Sequence, residues 1–352
     1  MSNAHLGNLL ASASTRASGN LARALRRAAR LSLLWREEAE LVYREGRSLT
    51  ELEGVGPHLA RLITGLLDDP PDEIGSVNRH PFLTFPEVVA TLESHPEWKS
   101  RLLGDLHMHT VYSDGYAELE DLVQAAEGRG YEYIAVTDHS KGLTVAGGMD
   151  EERLGQQMRH IDRVNDDLRT RGSSLRVLKS IEMNLDPGGR GDMDPGVLER
   201  LDLVVGSFHS KLRSREDQTE RFLAALNNPD VHVLGHPQGR MYNFRQGLEA
   251  DWDEVFASAA ALDKAVEIDS FPDRQDLDVA LLEVARRHGV RVSIGSDSHH
   301  PRQLEYIEYG LAAAIKGGIS FSKVLNFMPR NKLLEWARGV RATAKTSSGG
   351  AN

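Results

Sequence analysis

His107 and His109 are separated by one residue, so on a β-strand their imidazoles fall on the same face and can share a metal ion. Asp297 and His299 repeat that spacing, although a loop there would divide them between two ions. Asp114, His139, Glu182, His209 and His236 bring the candidate ligands to nine, too many for one tetrahedral or octahedral ion and suited to two or three. Glu182 has the further property that a carboxylate bridges two cations, which a single imidazole does not do readily. Two ions roughly 3.5–4 Å apart form an efficient phosphoester-hydrolysing arrangement: one activates a water, and both neutralise charge on the phosphoryl oxygens. The expected nucleophile is that metal-bound water, with no separate protein nucleophile. The chain has no cysteine, which removes thiolate sites, disulfides and cysteine nucleophiles and leaves mixed N/O sites open to Zn, Mn or Fe.

Such ligands work only if the backbone brings them together. Between Leu103 and about Phe327, short β-rich runs alternate with helical segments: Gly104–His109, Tyr133–Asp138, Leu175–Met183, Leu203–Phe208, Val231–Gly235, Ala265–Ile268 and Val290–Gly295. That alternation predicts parallel β/α units. Seven units predict an α/β fold, a distorted seven-stranded (β/α)7 TIM-like barrel, with a doubly wound open sheet as the alternative. Six of the seven runs end in candidate ligands, and the sixth ends in Glu267-Ile-Asp269-Ser270. In a barrel the strand C-termini converge on one face. Chance does not put ionisable residues at so many equivalent points.

Other residues take lesser roles. Asp105 and Asp138 stand one or two positions before a ligand and are expected to orient imidazoles from behind, as is His300 beside His299. Lys141, Lys211 and Arg240 lie next to ligand positions and are candidates for binding substrate phosphate, against the plainer reading of solvated charges at strand ends. His5, His58, His80, His95, His160, His232 and His288 lack a strand-end placement and read as surface or packing residues.

The bulk numbers frame this. With 352 residues, 40% hydrophobic and 27% charged, the chain has material for a large core plus an appendage. The formal net charge of −10 argues against an overall basic, nucleic-acid-coated surface without excluding a local patch. No apolar run reaches the roughly 18 residues of a membrane span, so no membrane partner is expected and a cytoplasmic location is. The first acidic residue is Glu37, a composition shared with organellar transit peptides; the preferred reading is a flexible leader running into a basic amphipathic helix. There Leu21, Leu25, Ala28, Leu31 and Leu34 recur at helical spacing with Arg23, Arg26, Arg27 and Arg30 between them. The expected organisation is a helical domain at 20–70, a proline-punctuated connector at 71–101, the α/β domain at 102–335 and a C-terminal tail at 336–352 whose last dozen residues read as frayed.

Taken together, Gly104-Asp-Leu-His-Met-His-Thr110 with Ser113-Asp-Gly, Thr137-Asp-His-Ser-Lys141, Phe208-His-Ser210, Gly235-His-Pro-Gln-Gly-Arg240 and Ile294-Gly-Ser-Asp-Ser-His299 resemble the polymerase and histidinol phosphatase (PHP) superfamily. The likeness covers about residues 102–328 and is nearest to the carboxy-terminal PHP domain of bacterial family X DNA polymerases. It implies a first metal on His107, His109, Glu182 and Asp297, a second on Glu182, His209 and His236, and a third on Asp114, His139 and His299. It also implies phosphoester hydrolysis, which in polymerase-linked members is 3′–5′ exonuclease or 3′-end phosphatase activity. Asp114 stands where some phosphatase members carry His, nearer the polymerase-associated pattern. Glu267-Ile-Asp-Ser departs from the Asn-containing version of those members.

Leu49-Thr-Glu-Leu-Glu-Gly-Val-Gly-Pro-His-Leu-Ala-Arg61 resembles the helix-hairpin-helix of the same polymerases, an element that binds DNA without sequence specificity. Its glycines permit a tight turn, and the N–H groups of Gly54, Val55 and Gly56 at a helix start can meet a DNA phosphate. Glu51 and Glu53 flank the turn and oppose that role. The connector is too short for polymerase palm, fingers and thumb, so no polymerase activity is expected. Three functions compete: a nucleic-acid phosphoesterase, favoured by the hairpin; a small-molecule phosphatase acting on, for example, histidinol phosphate or a nucleotide monophosphate; and a non-catalytic scaffold, disfavoured because all nine ligand positions are intact.

Overall fold

The computed structural model describes residues 1–71 and 80–348; residues 72–79 of the expected connector and 349–352 of the expected tail lie outside the described residues. Helices α1 (Asn3–Arg16), α2 (Gly19–Leu31), α3 (Ala39–Arg44) and α4 (Pro57–Asp68) form a helical domain, and α5 (Phe85–Glu93) and α6 (Pro96–Arg101) lead out of it. Strands β1 (Gly104–Asp105), β2 (Tyr133–Val136), β3 (Arg176–Asn184), β4 (Leu203–Ser207), β5 (Val233–Gly235), β6 (Ala265–Asp269) and β7 (Arg291–Gly295) follow. Between them run α7 (Leu119–Gly128), α8 (Glu151–Thr170), α9 (Pro195–Leu198), α10 (Thr219–Asn227), α11 (Trp252–Ala261) and α12 (Val279–His288); α13 (Ile307–Lys316) and α14 (Arg330–Ser348) come after β7.

The seven strands pair in parallel in sequence order, giving the nearly closed (β/α)7 barrel. Their side chains alternate as a strand buried on both faces requires: Tyr133 and Ala135 join one buried cluster while Ile134 and Val136 join another. The first strand is shorter than the sequence predicts. Its pairing stops at Asp105, and His107 and His109 lie just beyond, joined to the last unit by the isolated bridge Met108–Ser298. Around that bridge the His109 N–H donates to Ser298 O (2.8 Å) and the Asp297 N–H to His107 O (3.0 Å). At the opposite end of the seam the buried Asn326 amide donates to Gly104 O (2.9 Å) and Ile294 O (2.8 Å) and accepts from Ile294 N–H (2.8 Å). One side chain therefore supplies the ladder bonds that β1 and β7 do not make to each other.

The expected tail at 336–352 is corrected. Helix α14 runs from Arg330 to Ser348, and its Leu333, Trp336, Ala337 and Val340 pack with Tyr133, Leu178, Leu203, Val205, Val233 and Ala265. The Trp336 indole N–H donates to Asp263 O (2.9 Å). A stripe of apolar residues at helical spacing was present there, and burial against the strands outweighs the polar residues at its end.

The expected flexible leader is corrected as well. Ser2 caps α1 by accepting from His5 N–H, and Leu6, Leu10 and Ala11 pack into a core with Leu25, Ala28 and Ala29 of α2. The buried Asn3 donates to Glu37 O (2.9 Å) and accepts from Ala39 N–H (2.9 Å), fastening α1 to α3. In the expected hairpin, a single 3-10 turn (Leu49–Glu51) stands where a first helix would be, followed by Gly54 at φ +76° and then α4. The helical domain is docked on the barrel: Leu33 O accepts from Phe85 N–H (2.8 Å) and Tyr309 O–H (2.7 Å), and Tyr242, from the segment after β5, is part of the helical core. Among the described residues, no helix is long and apolar enough to cross a membrane.

Candidate metal centre

Parallel strands end together, so the residues just past their C-termini are forced into one neighbourhood. All nine predicted ligands meet there, around Glu182. Its Oε1 lies 2.7 Å from His236 Nε2 and 3.2 Å from His209 Nε2. Its Oε2 lies 2.6 Å from His139 Nδ1, 3.5 Å from His107 Nε2 and 3.8 Å from His109 Nε2. Asp297 Oδ1 is 2.9 Å from His109 Nε2 and 3.8 Å from His107 Nε2. Asp114 Oδ1 is 3.4 Å from His299 Nε2 and 3.6 Å from His139 Nε2. Among the described residues, three groups have potential ligand atoms within 4.8 Å of one another: His109–Asp114–His139–His299, His107–His109–Glu182 and His139–Glu182–His209.

The burial of these atoms is costly unless a cation is part of the design. Buried and without a hydrogen-bond partner are His107 Nε2, both ring nitrogens of His109, His139 Nδ1 and Glu182 Oε2. His139 Nδ1 and Glu182 Oε2 are close enough to bond but are not aligned as donor and acceptor. Lone pairs aimed at a common space rather than at each other are what a cation site requires, and the donors are the N/O set that Zn²⁺, Mn²⁺ and Fe²⁺ accept. The residues present fit divalent metal ions.

The charges reinforce one another. Burial opposes ionisation of Glu182, but His139, His209 and His107 outweigh it and hold the carboxyl well below its usual range. Burial also opposes a charge on His139; the Glu182 and Asp114 carboxylates overcome it and push the imidazole up to about 10. His109 goes the other way, pushed down to about 3 by burial and then by His139 and His299. Asp114 is 34% exposed, and His209 and His299 16% each, while His107 and His109 are sealed, so the centre opens on the Asp114–His209–His299 side. Asp297 and His236 have left-handed backbone (φ +50° and +22°), a strained conformation held by the bond from Asp297 N–H to His107 O and by the bond from His236 N–H to Glu267 Oε2 (2.8 Å).

The supporting residues differ from expectation. Asp105 accepts from the His107 and Ser296 N–H groups (3.2 and 3.1 Å), and Asp138 from Thr110 N–H (2.8 Å), Thr110 Oγ1 (2.6 Å), Ser113 Oγ and Gln157 (2.5 Å). Both hold backbone and loop rather than an imidazole. His300 is exposed and accepts from Arg302 N–H (3.1 Å), capping a 3-10 turn away from the centre. Arg240 is corrected too: it is buried, 3.3 Å from Asp278, stacked on Phe82 and donating to His80 O and Pro81 O, so it clamps the connector instead of facing substrate. Lys141 is exposed and paired with Glu151 (2.6 Å), and Lys211 is exposed at φ +54°.

Three residues absent from the expected site, Glu267, Arg274 and Asn184, occupy the orienting positions. Glu267 accepts from His107 Nδ1 (2.6 Å) as well as from His236 N–H, fixing two ligands at once. Arg274 forms an ion pair with Asp297 Oδ2 and lies 3.6 Å from Asp269. The signal for Glu267 was its place at the end of the sixth strand; Arg274 had none, being in a loop at no recognisable spacing. Asn184 Oδ1 faces His209 Nδ1 at 3.1 Å and orients that ring.

The PHP domain family profile matches residues 105–300. A DNA polymerase/3′-5′ exonuclease of Bacillus subtilis is 37% identical over 227 residues, 64% of this chain; the chain spans 39% of that relative's length. A probable phosphatase of Acetivibrio thermocellus is 31% identical over 205 residues, covering 55% of this chain and 78% of that protein. A solved histidinol phosphate phosphatase of Lactococcus lactis, in complex with zinc, L-histidinol and phosphate, aligns over 62% of this chain and 95% of its own at 17% identity and a TM-score of 0.46.

Proposed function

The chain belongs to the PHP domain family of metal-dependent phosphoesterases, and from that premise we propose that it hydrolyses nucleic-acid phosphoesters at a 3′ end, as a 3′–5′ exonuclease or a 3′-phosphatase. The observation that carries this reading is the helical domain docked against the barrel, with Tyr242 from the segment after β5 in its core. A small monoester needs no such neighbour beside the site. The identity to the polymerase/exonuclease supports the same substrate class.

In this reading His107, His109, Glu182 and Asp297 would hold one ion, Glu182, His209 and His236 a second, and Asp114, His139 and His299 a third. When bound, the ions supply a water activated at neutral pH and neutralise charge on the phosphoryl oxygens. The chain's own groups do the rest. Glu182, between five imidazoles, keeps its charge and would present a carboxylate oxygen to either of two ions. Glu267 and Asn184 fix the rings of His107 and His209 so that their free nitrogens face inward. Arg274, whose side chain is 29% exposed, is assigned the grip on a phosphate oxygen, the role expected of Arg240, with Lys141 and Lys211 at the rim. The turn at Gly54, Val55 and Gly56 is assigned to the DNA backbone through the N–H groups of Gly54 and Gly56, since the Val55 N–H donates to Leu52 O (3.1 Å). A cytoplasmic location goes with this reading.

The likeness to a probable phosphatase favours one other reading, a small-molecule monoester phosphatase. The two separate in one experiment. Full-length protein loaded with Mn²⁺ or Zn²⁺ is incubated with labelled single- and double-stranded oligonucleotides ending in a 3′-hydroxyl or a 3′-phosphate, beside a panel of small monoesters. Shortened strands or a lost 3′-phosphate are the expected result. Untouched oligonucleotides with rapid monoester turnover would sink the nucleic-acid reading.

A further inference from the structure

Helix α2 carries Arg23, Arg26, Arg27 and Arg30 at the spacing of a single helical stripe, and all four are exposed while Ala22, Leu25, Ala28 and Ala29 on its other side are buried. The bland reading is a solvated face. The tertiary structure does not leave it facing open solvent. All four arginines line one cavity of about 870 Å³ between the helical domain and the barrel. The opposite wall is built from the segments that follow β5, β6 and β7, the same strand ends that carry His236, Arg274 and His299.

That wall is aromatic. Phe271 and Tyr306 meet edge to face at 5.2 Å between centroids, and Phe244 is 59% exposed at the rim. The carboxylate in the lining, Asp273, pairs with Arg30 at 3.0 Å, and its chain neighbour Arg274 pairs with Asp297 of the metal centre. Two adjacent residues thus join the groove to the site. Arg26 and Arg27 make no ion pair among the described residues, and Arg23 contacts Asn20 in its own helix. In a chain of net charge −10, three guanidinium groups with no carboxylate partner among the described residues, beside a fourth paired with Asp273, form a local exception facing a stacking surface.

Resting on the nucleic-acid reading above, we infer that this groove, rather than the hairpin turn, holds the single-stranded end of the substrate: phosphates lie on the arginine stripe of α2 and bases against Phe244, Phe271 and Tyr306. A cationic track facing aromatic rings is the arrangement that binds single strands without regard to sequence. A duplex, with its bases paired inward, has no use for the aromatic wall.

The test uses full-length metal-loaded protein and a 5′-fluorescent single strand of about 15 nucleotides. Binding is read by anisotropy across a salt series, and hydrolysis by product length. In the variant Arg23→Glu/Arg26→Glu/Arg27→Glu, Kd and KM rise at least about tenfold and the slope of log Kd against log salt falls by about 2, the share of three single-strand phosphates. A matched reversal on α8, Arg159→Glu/Arg163→Glu/Arg169→Glu, keeps the wild-type slope. Independently, Phe244→Ala weakens binding about fivefold or more with the slope unchanged, as lost stacking requires. If the α2 variant binds and cuts single strands like the α8 variant, the groove is not the strand path, and the nucleic-acid reading stands without it. If wild type binds strands through the arginines yet cleaves none, the groove stands and the activity reading falls. If wild type neither binds nor cleaves, both fall.

Discussion

Glu267 touches the centre through two other groups, the ring of His107 and the backbone of His236, and its value is positional. Glu267→Gln keeps the size but turns a charged acceptor into a weaker one. Metal affinity is expected to fall about 10- to 100-fold, with activity restored by raised metal concentration; unchanged affinity by titration would mean that His107 is oriented by something else. Arg274 is different in kind, because the proposed function assigns its guanidinium to the substrate phosphate. Arg274→Gln is expected to lower kcat/KM by about 10- to 100-fold at saturating metal, the worth of one charge-assisted hydrogen bond. A loss curable by added metal would instead make Arg274 a support for Asp297. At this scale the nine candidate ligands were legible because chemistry restricts them to His, Asp and Glu at strand ends. Their supports were less so: any acceptor near a ring nitrogen serves, and Arg240, Asp138 and His300 show how adjacency in sequence misleads when a strand or loop turns the side chain elsewhere.

Elements were legible where a periodic pattern met a packing partner. The β/α alternation and the α2 stripe are of that kind. Helix α14 is the counterexample, since its terminal position and polar end read as a tail while its apolar stripe seats against the strands. The closure of the barrel was not legible at all, because it depends on an asparagine far from both strands in sequence. Asn326→Leu leaves Ile294 N–H, Ile294 O and Gly104 O without their partner, and is expected to lower unfolding free energy by about 3 kcal/mol in denaturant titration. A change within about 0.5 kcal/mol would show that β1 and β7 close without it.

For the molecule as a whole, the centre is a cluster of buried charges at the meeting point of elements spread along the chain. Stability and metal content are therefore linked. Chelation of natively purified protein is expected to lower Tm by about 10 °C, as follows for ligands held about a thousandfold above their dissociation constants. Zn²⁺ or Mn²⁺ should restore it. Protein that carries no metal by elemental analysis and melts identically with and without chelator would contradict the proposed ligand set.

What the sequence determined by itself is what repeats or is chemically restricted: parallel β/α units, a strand-end set of candidate N/O ligands, and the absence of thiolate chemistry. Those features follow from local geometry and from the donor atoms each side chain owns. What only the tertiary structure decided is how pieces remote in sequence meet. His107 and His109 began as a pair with the spacing of one strand; folding set Glu182 between them and three further imidazoles, and Glu267 behind. The same step carried the arginines of α2 to the groove beside the metal centre, because the apolar side of that helix had to be buried and its charged side went wherever the docking surface left it.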